Sequence, residues 1–119
     1  ARWFRQSELD LDDAKFAADG KRYHLACFLS QQAAEKALKA LLYSRGAEMV
    51  WGHSVADLCK SVQKLELDFS LPLGDAAPLD KYYPNGLPGG IPSDAFASRD
   101  ADLAISMASA VLEAVRKTL

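Results

Sequence analysis

The sequence predicts an all-α fold: an up-down helical bundle of four long helices plus one short helix. Three observations carry that reading. All five prolines (Pro72, Pro78, Pro84, Pro88 and Pro92) fall between positions 72 and 92, and Gly74, Gly86, Gly89 and Gly90 join them there. Long proline-free stretches therefore flank one irregular segment. Apolar residues on either side of that segment recur at helical spacing. No alternating run of β-branched or aromatic residues sits between turn signals, as a strand would require. The 119 residues suffice for one domain, 1–119, and show no internal repeat.

The first helix is expected from Arg2 to Asp19. Phe4, Leu11, Ala14 and Ala18 share one face, and Asp10, Asp12 and Asp13 are placed on the wet side. Gly20 is expected to close it in a left-handed cap. The second helix is expected from Lys21 to Arg45, closed by Gly46. Tyr23, Cys27, Ser30, Ala34, Ala37 and Leu41 form one stripe, while Leu25, Phe28 and Leu29 lie opposite. Its first half is thus apolar nearly all round, which calls for burial on two sides. The first helix covers one side, and the other needs a second element or a second subunit. Ala26, Ala33, Ala34, Ala37 and Ala40 let neighbouring helices approach closely.

The third helix is expected after Ser54. Ser54-Val55-Ala56-Asp57 resembles a capping box with Asp in the acidic position, and Val55, Leu58, Cys59, Val62 and Leu65 follow at helical spacing. Residues 73–83 are expected to form a short helix with Pro78 near its first turn, and 84–97 to be irregular. The last helix is expected from Arg99 to Lys117 with Ser98 as N-cap. Leu103, Met107, Ala110, Val111 and Ala114 are taken as its core face.

Fourteen Lys and Arg against sixteen Asp and Glu give a net charge of −2, with no basic half, so the broad footprint of a duplex-DNA binder is missing. No apolar run approaches the ~18 residues that span a bilayer, and the opening residues contain no signal-like apolar stretch. A cytoplasmic protein that does not enter a membrane is the expectation. Cys27 and Cys59 lack metal-ligand spacing and are expected to be buried free thiols. His24 and His53 have no paired-ligand spacing, and phosphate loops, dinucleotide fingerprints and nucleophile elbows are missing too. No cofactor and no metal are expected.

Four groups of residues could still bind a ligand. Gln32, Lys36 and Lys39 lie within about 60° of one another on the second helix. They read either as a solvated face or as a cationic stripe beside the apolar first half of that helix. His53 precedes the Ser54 cap, where it is either a polar loop residue or, with Arg45, part of an anion site at a helix start. In Leu79-Asp80-Lys81-Tyr82-Tyr83-Pro84 the tyrosines either pin a loop to the core or stack on a base, with Lys81 at a phosphate. Trp3 and Trp51 read as core packing or as anchors of a subunit interface.

Four separated segments resemble one family. Trp3-Phe4-Arg5-Gln6 with Leu9-Asp10 and Ala14 resembles the opening helix of HEPN domains, the higher eukaryotes and prokaryotes nucleotide-binding group. The stretch from Tyr23 through Gln31-Gln32-Ala33-Ala34-Glu35-Lys36-Ala37-Leu38-Lys39 to Leu42, followed by Arg45-Gly46, is similar to its second helix. Gly52-His53-Ser54 with Leu58 resembles the third-helix entry, and Leu79-Asp80-Lys81-Tyr82-Tyr83 resembles the segment before its long loop. The resemblance implies a helical bundle, commonly a homodimer, often beside a minimal nucleotidyltransferase in a toxin–antitoxin-like pair. Some members are metal-independent ribonucleases with an Arg followed by His after four to six residues. Here seven residues separate Arg45 from His53, and the arginine that relatives often carry in the long loop is missing. The expectation is therefore a dimeric, non-catalytic module that binds a nucleotide, a partner nucleotidyltransferase or both, with Gln32, Lys36, Lys39, Arg45, His53, Lys81, Tyr82 and Tyr83 as nucleotide-site candidates. The alternatives are a ribonuclease toxin acting on RNA through Arg45 and His53, and a purely structural interaction domain.

Overall fold

The computed structural model describes residues 2–66, 69, 77–82 and 95–119. The described elements are α1 (Arg2–Asp19), α2 (Tyr23–Ser44), α3 (Val55–Leu65), a 3₁₀ helix (Ala77–Tyr82) and α4 (Ser98–Thr118). Four long helices and one short one match the expected bundle. Most of the 84–97 stretch lies outside the described residues.

Helix α2 is the hub. It packs against α1, α3, α4 and the 3₁₀ helix. Its alanines explain how: Ala26, Ala33, Ala34 and Ala37 are fully buried and Ala40 nearly so. With only a methyl group at each position, flanking helices approach on more than one side. Leu38, Leu41, Val55, Val62, Leu79, Val111, Leu112 and Val115 fill the space between. The expected two-sided cover holds from Ala33 onward. It fails at the start of the helix, where Leu25 is 42% exposed and Phe28 and Leu29 are half-buried.

Both α1 and α2 end in the same hydrogen-bond pattern. After α2, Gly46 takes a φ of 95°, its N–H donates to the Tyr43 carbonyl, and the Ala47 N–H donates to Leu42. After α1 the left-handed residue is Lys21, with a φ of 61°, and not Gly20. The Lys21 N–H donates to Ala18 and the Arg22 N–H to Ala17, so the turn is set one residue later than the glycine suggested.

Four further expectations change. Asp10 is not on the wet face but 5% exposed, because Lys36 reaches it across the α1–α2 seam and Gln6 from one turn earlier on α1. Leu65 is 56% exposed at the end of α3. On α4 the buried row is Ala101, Ala104, Met107, Ala108, Val111, Leu112 and Val115, whereas Leu103 and Ala110 face solvent. The N-cap of α4 is Ala97, and the missing side-chain cap is supplied from inside the helix by Asp100, which accepts from the Ala97 N–H at 2.8 Å.

Cys27 and Cys59 are buried free thiols, as expected. Burial raises Cys27 to about 11 and Cys59 to about 12. No helix among the described residues is long and apolar enough to cross a membrane.

Candidate functional site

Gln31, Glu35, Lys39 and Tyr43 recur every four residues and so form one polar stripe along α2. The chain returning from α2 to α3 lies across this stripe. At one end the Val50 N–H donates to the Tyr43 hydroxyl at 3.3 Å. At the other, Gln31 Nε2 donates to the His53 carbonyl at 2.9 Å. Between them Glu35, 4% exposed, gathers three donors. Lys39 Nζ donates to Oε2 at 3.0 Å, Gln31 Nε2 donates to Oε1 at 3.2 Å, and His53 Nδ1 stands 3.1 Å from Oε1 and 3.2 Å from Oε2. An ionised carboxylate accepts only, so the Nδ1 proton of His53 points at Glu35.

The cluster continues towards α1. Gln32 Nε2 donates to Gln31 Oε1 at 2.7 Å, and Lys36 Nζ donates to Asp10 Oδ2 at 2.6 Å. Gln6 Nε2 fills the other Asp10 oxygen at 2.9 Å. Every buried side-chain polar atom among the described residues has a partner. Lys36 and Lys39 are each matched by a carboxylate, so the stripe is charge-balanced rather than cationic.

The start of α3 is also filled. Ser54 Oγ accepts from the Asp57 N–H at 3.1 Å, as the capping signature implied. The anion at this helix start is Asp80, brought in by the 3₁₀ helix. Its carboxylate accepts from the Val55 N–H at 2.5 Å, from the Ala56 N–H at 3.4 Å and from the Ser54 hydroxyl at 2.7 Å. A protein carboxylate thus takes the place that a phosphate would occupy.

The remaining sequence candidates scatter. The Arg45 guanidinium pairs with Glu66 and donates from Nη2 to the Thr118 carbonyl at 2.8 Å. Glu66 caps the far end of α3 from His53, and eleven residues of α3 separate the two by about 16 Å. Arg45 and His53 therefore do not meet within one chain. Tyr82 is buried. Its ring packs 5.9 Å from Phe96, and its hydroxyl, raised to about 12 by burial, hydrogen-bonds with Cys27. Lys81 Nζ lies 5.2 Å from the Tyr82 ring centroid. Tyr83 lies outside the described residues. The structure thus joins Gln32, Lys39 and His53 through Gln31 and Glu35, pairs Lys36 separately with Asp10, and leaves Arg45, Lys81 and Tyr82 elsewhere.

Reading single residues missed Asp10, Gln31, Glu35 and Asp80. The signal for two of them was present: Gln31, Glu35 and Lys39 share one spacing, and the loop must cover some face of α2. Trp51 was weighed as core but is 80% exposed, with Met49 at 63% on the same loop. Trp3 is 40% exposed and stacks on Tyr43 with centroids 5.6 Å apart. Among the described residues, no group of three or more His, Cys, Asp or Glu side chains is placed to hold a metal ion.

The family description "HEPN domain" matches residues 1–118. Among solved structures, the chain is similar to the TT1696 protein of Thermus thermophilus at 34% identity and a TM-score of 0.83, covering 99% of this chain and 96% of that one. It is similar to ST0689, an archaeal HEPN homologue, at 37% identity and a TM-score of 0.76, covering 98% and 94%. It also resembles an HEPN domain protein of Thermotoga maritima, TM0613, at 28% identity and a TM-score of 0.74, covering 99% and 97%. No curated protein matches. With matched sequence over nearly every position and the same helical bundle, the chain belongs to the HEPN domain family.

Proposed function

We propose that the chain is a non-catalytic HEPN module that acts through binding, as a homodimer that seats a partner minimal nucleotidyltransferase. One contrast carries this reading. The cations of the polar cluster are committed to carboxylates, while Phe16, Leu25, Met49 and Trp51 stand 81%, 42%, 63% and 80% exposed. Exposed large apolar side chains favour protein contact. The separation of Arg45 from His53 leaves a single chain without the paired groups a ribonuclease would use.

Nucleotide binding belongs to the same proposal through one observation. Trp51, 80% exposed, stands two residues before His53, whose side chain keeps 49% of its surface open where it meets Glu35. A flat exposed ring beside such a group suits a stacked base.

The test is light scattering of the purified chain, alone and mixed with a minimal nucleotidyltransferase. The expected result is twice the 12.9 kDa chain mass alone and co-elution in the mixture. A 12.9 kDa species that never co-elutes refutes the binding reading. Calorimetry with ATP, GTP and nucleoside monophosphates tests the nucleotide part, and silence removes it. Cleavage of RNA by the wild type but not by His53→Ala would overturn the non-catalytic assignment.

A further inference from the structure

The segment from Ala47 to His53 covers the polar stripe of α2 with little to hold it there. It runs between two glycines of positive φ, 95° at Gly46 and 90° at Gly52. An added Cβ would meet nothing within 4 Å at either position, so backbone conformation, not packing, calls for glycine there. Ala47 and Val50 are partly buried on the core, whereas Met49 and Trp51 are exposed. Among the described residues, one hydrogen bond holds residues 48–52 to the bundle, from the Val50 N–H to the Tyr43 hydroxyl. The flanks are better fixed: the Ala47 N–H donates to the Leu42 carbonyl, and Gln31 holds the His53 carbonyl. Under the span lies the Lys39–Glu35 pair, with side chains only 10% and 5% exposed.

We propose that residues 47–52 form a hinged strap that lifts from α2 as a unit, turning about Gly46 and Gly52, and so gates access to the Lys39–Glu35 pair. Two glycines in open space can absorb the change in backbone angles without disturbing any packed side chain. Lifting gives up the Ala47 and Val50 hydrogen bonds and the partial burial of those two side chains. It leaves the Ser54 cap, the Asp80 carboxylate and the Gln31–His53 bond in place, so α3 keeps its seat. Uncovering the stripe from any other side would mean pulling a helix from α2, at the expense of the core. A segment with few apolar contacts beside a well-packed helix is the part that opens first. Opening is also one-sided: the Tyr43 and Lys39 end is uncovered while the Gln31 end stays closed. A polar solute that reaches Lys39 must pass the strap, whichever partner the chain binds.

The test is acetylation of lysines in the folded, full chain with acetic anhydride, read residue by residue by mass spectrometry in urea up to about 1 M. Lys60, exposed on α3, is the reference. Lys39 should react at least about 10-fold more slowly than Lys60, at a rate that stays flat with urea, because lifting the strap exposes little surface. Gly52→Ala penalises only the closed strap, since alanine resists a φ of 90°, and should speed Lys39 labelling about 5–30-fold. Tyr43→Phe keeps the ring that stacks on Trp3 but removes the acceptor of Val50, and should speed it about 3–10-fold. Lys39 donates to Glu35 and not to that hydroxyl, so the gain reports the strap. A Lys39 rate that climbs with urea in step with global unfolding overturns the proposal, since the stripe then opens only when the bundle does. A wild-type Lys39 as reactive as Lys60 overturns it too, as does a Gly52→Ala chain, folded by circular dichroism, whose Lys39 rate is unchanged. If Gly52→Ala does not fold, Tyr43→Phe decides: faster labelling of Lys39 supports the strap and an unchanged rate overturns it.

Discussion

Glu35 is the most informative position to perturb, because three donors converge on one buried carboxylate. Replacing it with leucine removes the acceptor of Lys39, whose side chain is only 10% exposed, and strands an ammonium beneath the 47–54 loop. Removing one member of a buried ion pair costs about 3–5 kcal/mol, chiefly because the other charge stays desolvated. At an unfolding entropy of about 2.1 cal/mol/K per residue, 119 residues give about 250 cal/mol/K, so Tm should fall by about 12–20 °C. The second half of the test is Glu35→Leu with Lys39→Met. An apolar pair of similar volume removes the stranded charge, and the double variant should return to within about 1–2 kcal/mol of wild type. Urea unfolding followed by circular dichroism measures all four corners of the cycle. A single variant that loses less than about 1 kcal/mol, or a double variant no better than the single, would refute the claim that Lys39 is held dry by the loop.

Four further outcomes are expected. Asp80→Ala removes the acceptor of two helix-start N–H groups and the Ser54 hydroxyl, and should cost about 2–4 kcal/mol in urea unfolding, with Asp80→Asn intermediate. Burial favours the neutral thiols, so their stabilising effect is complete below pH 9 and is lost as pH rises through about 11 for Cys27 and about 12 for Cys59. At pH 8 the lower thiolate fraction alone should slow alkylation of Cys27 about a hundredfold relative to urea-unfolded chain, readable by mass spectrometry. Trp51→Ala should change stability by less than about 0.5 kcal/mol, since the ring is 80% exposed, yet abolish any calorimetric nucleotide signal. Ala34→Leu overpacks a fully buried helix contact and should cost about 1–3 kcal/mol by thermal melting.

How far the sequence was legible follows from which forces act locally. The limits of α1 and α2, the Ser54 cap and the stiff segment around Pro78 are written in short-range chemistry, and the ends of both helices came out within two residues. Asp10 was misjudged because its burial depends on Lys36, which is 26 positions away and invisible to periodicity within α1. The α4 row came out rotated because Leu103 drew the face towards itself. The neighbours of α4 select instead for small side chains, and Ala101, Ala104 and Ala108 are buried where a leucine would not fit. In the site, Gln31, Glu35 and Lys39 were visible as a spacing, whereas the loop that turns them into an interior needs the third dimension. Asp80 illustrates the same limit: a stretch that reads as ligand chemistry brings its own carboxylate to a helix start 25 residues earlier.

The two ends of the described chain are tied together at one pole of the bundle. The Arg116 guanidinium carbon lies 5.5 Å from the centroid of the Phe4 ring, Arg116 also reaches Glu8 at 3.4 Å, and Arg45 holds the Thr118 carbonyl. Twelve residues of α1 carry the backbone about 18 Å from Phe4 to Phe16. A fluorescent tag, a tether or a fused enzyme attached at either terminus would therefore leave from the same side of the molecule, well clear of the Phe16 face. Two tethers on one molecule, one at each end, would start as neighbours.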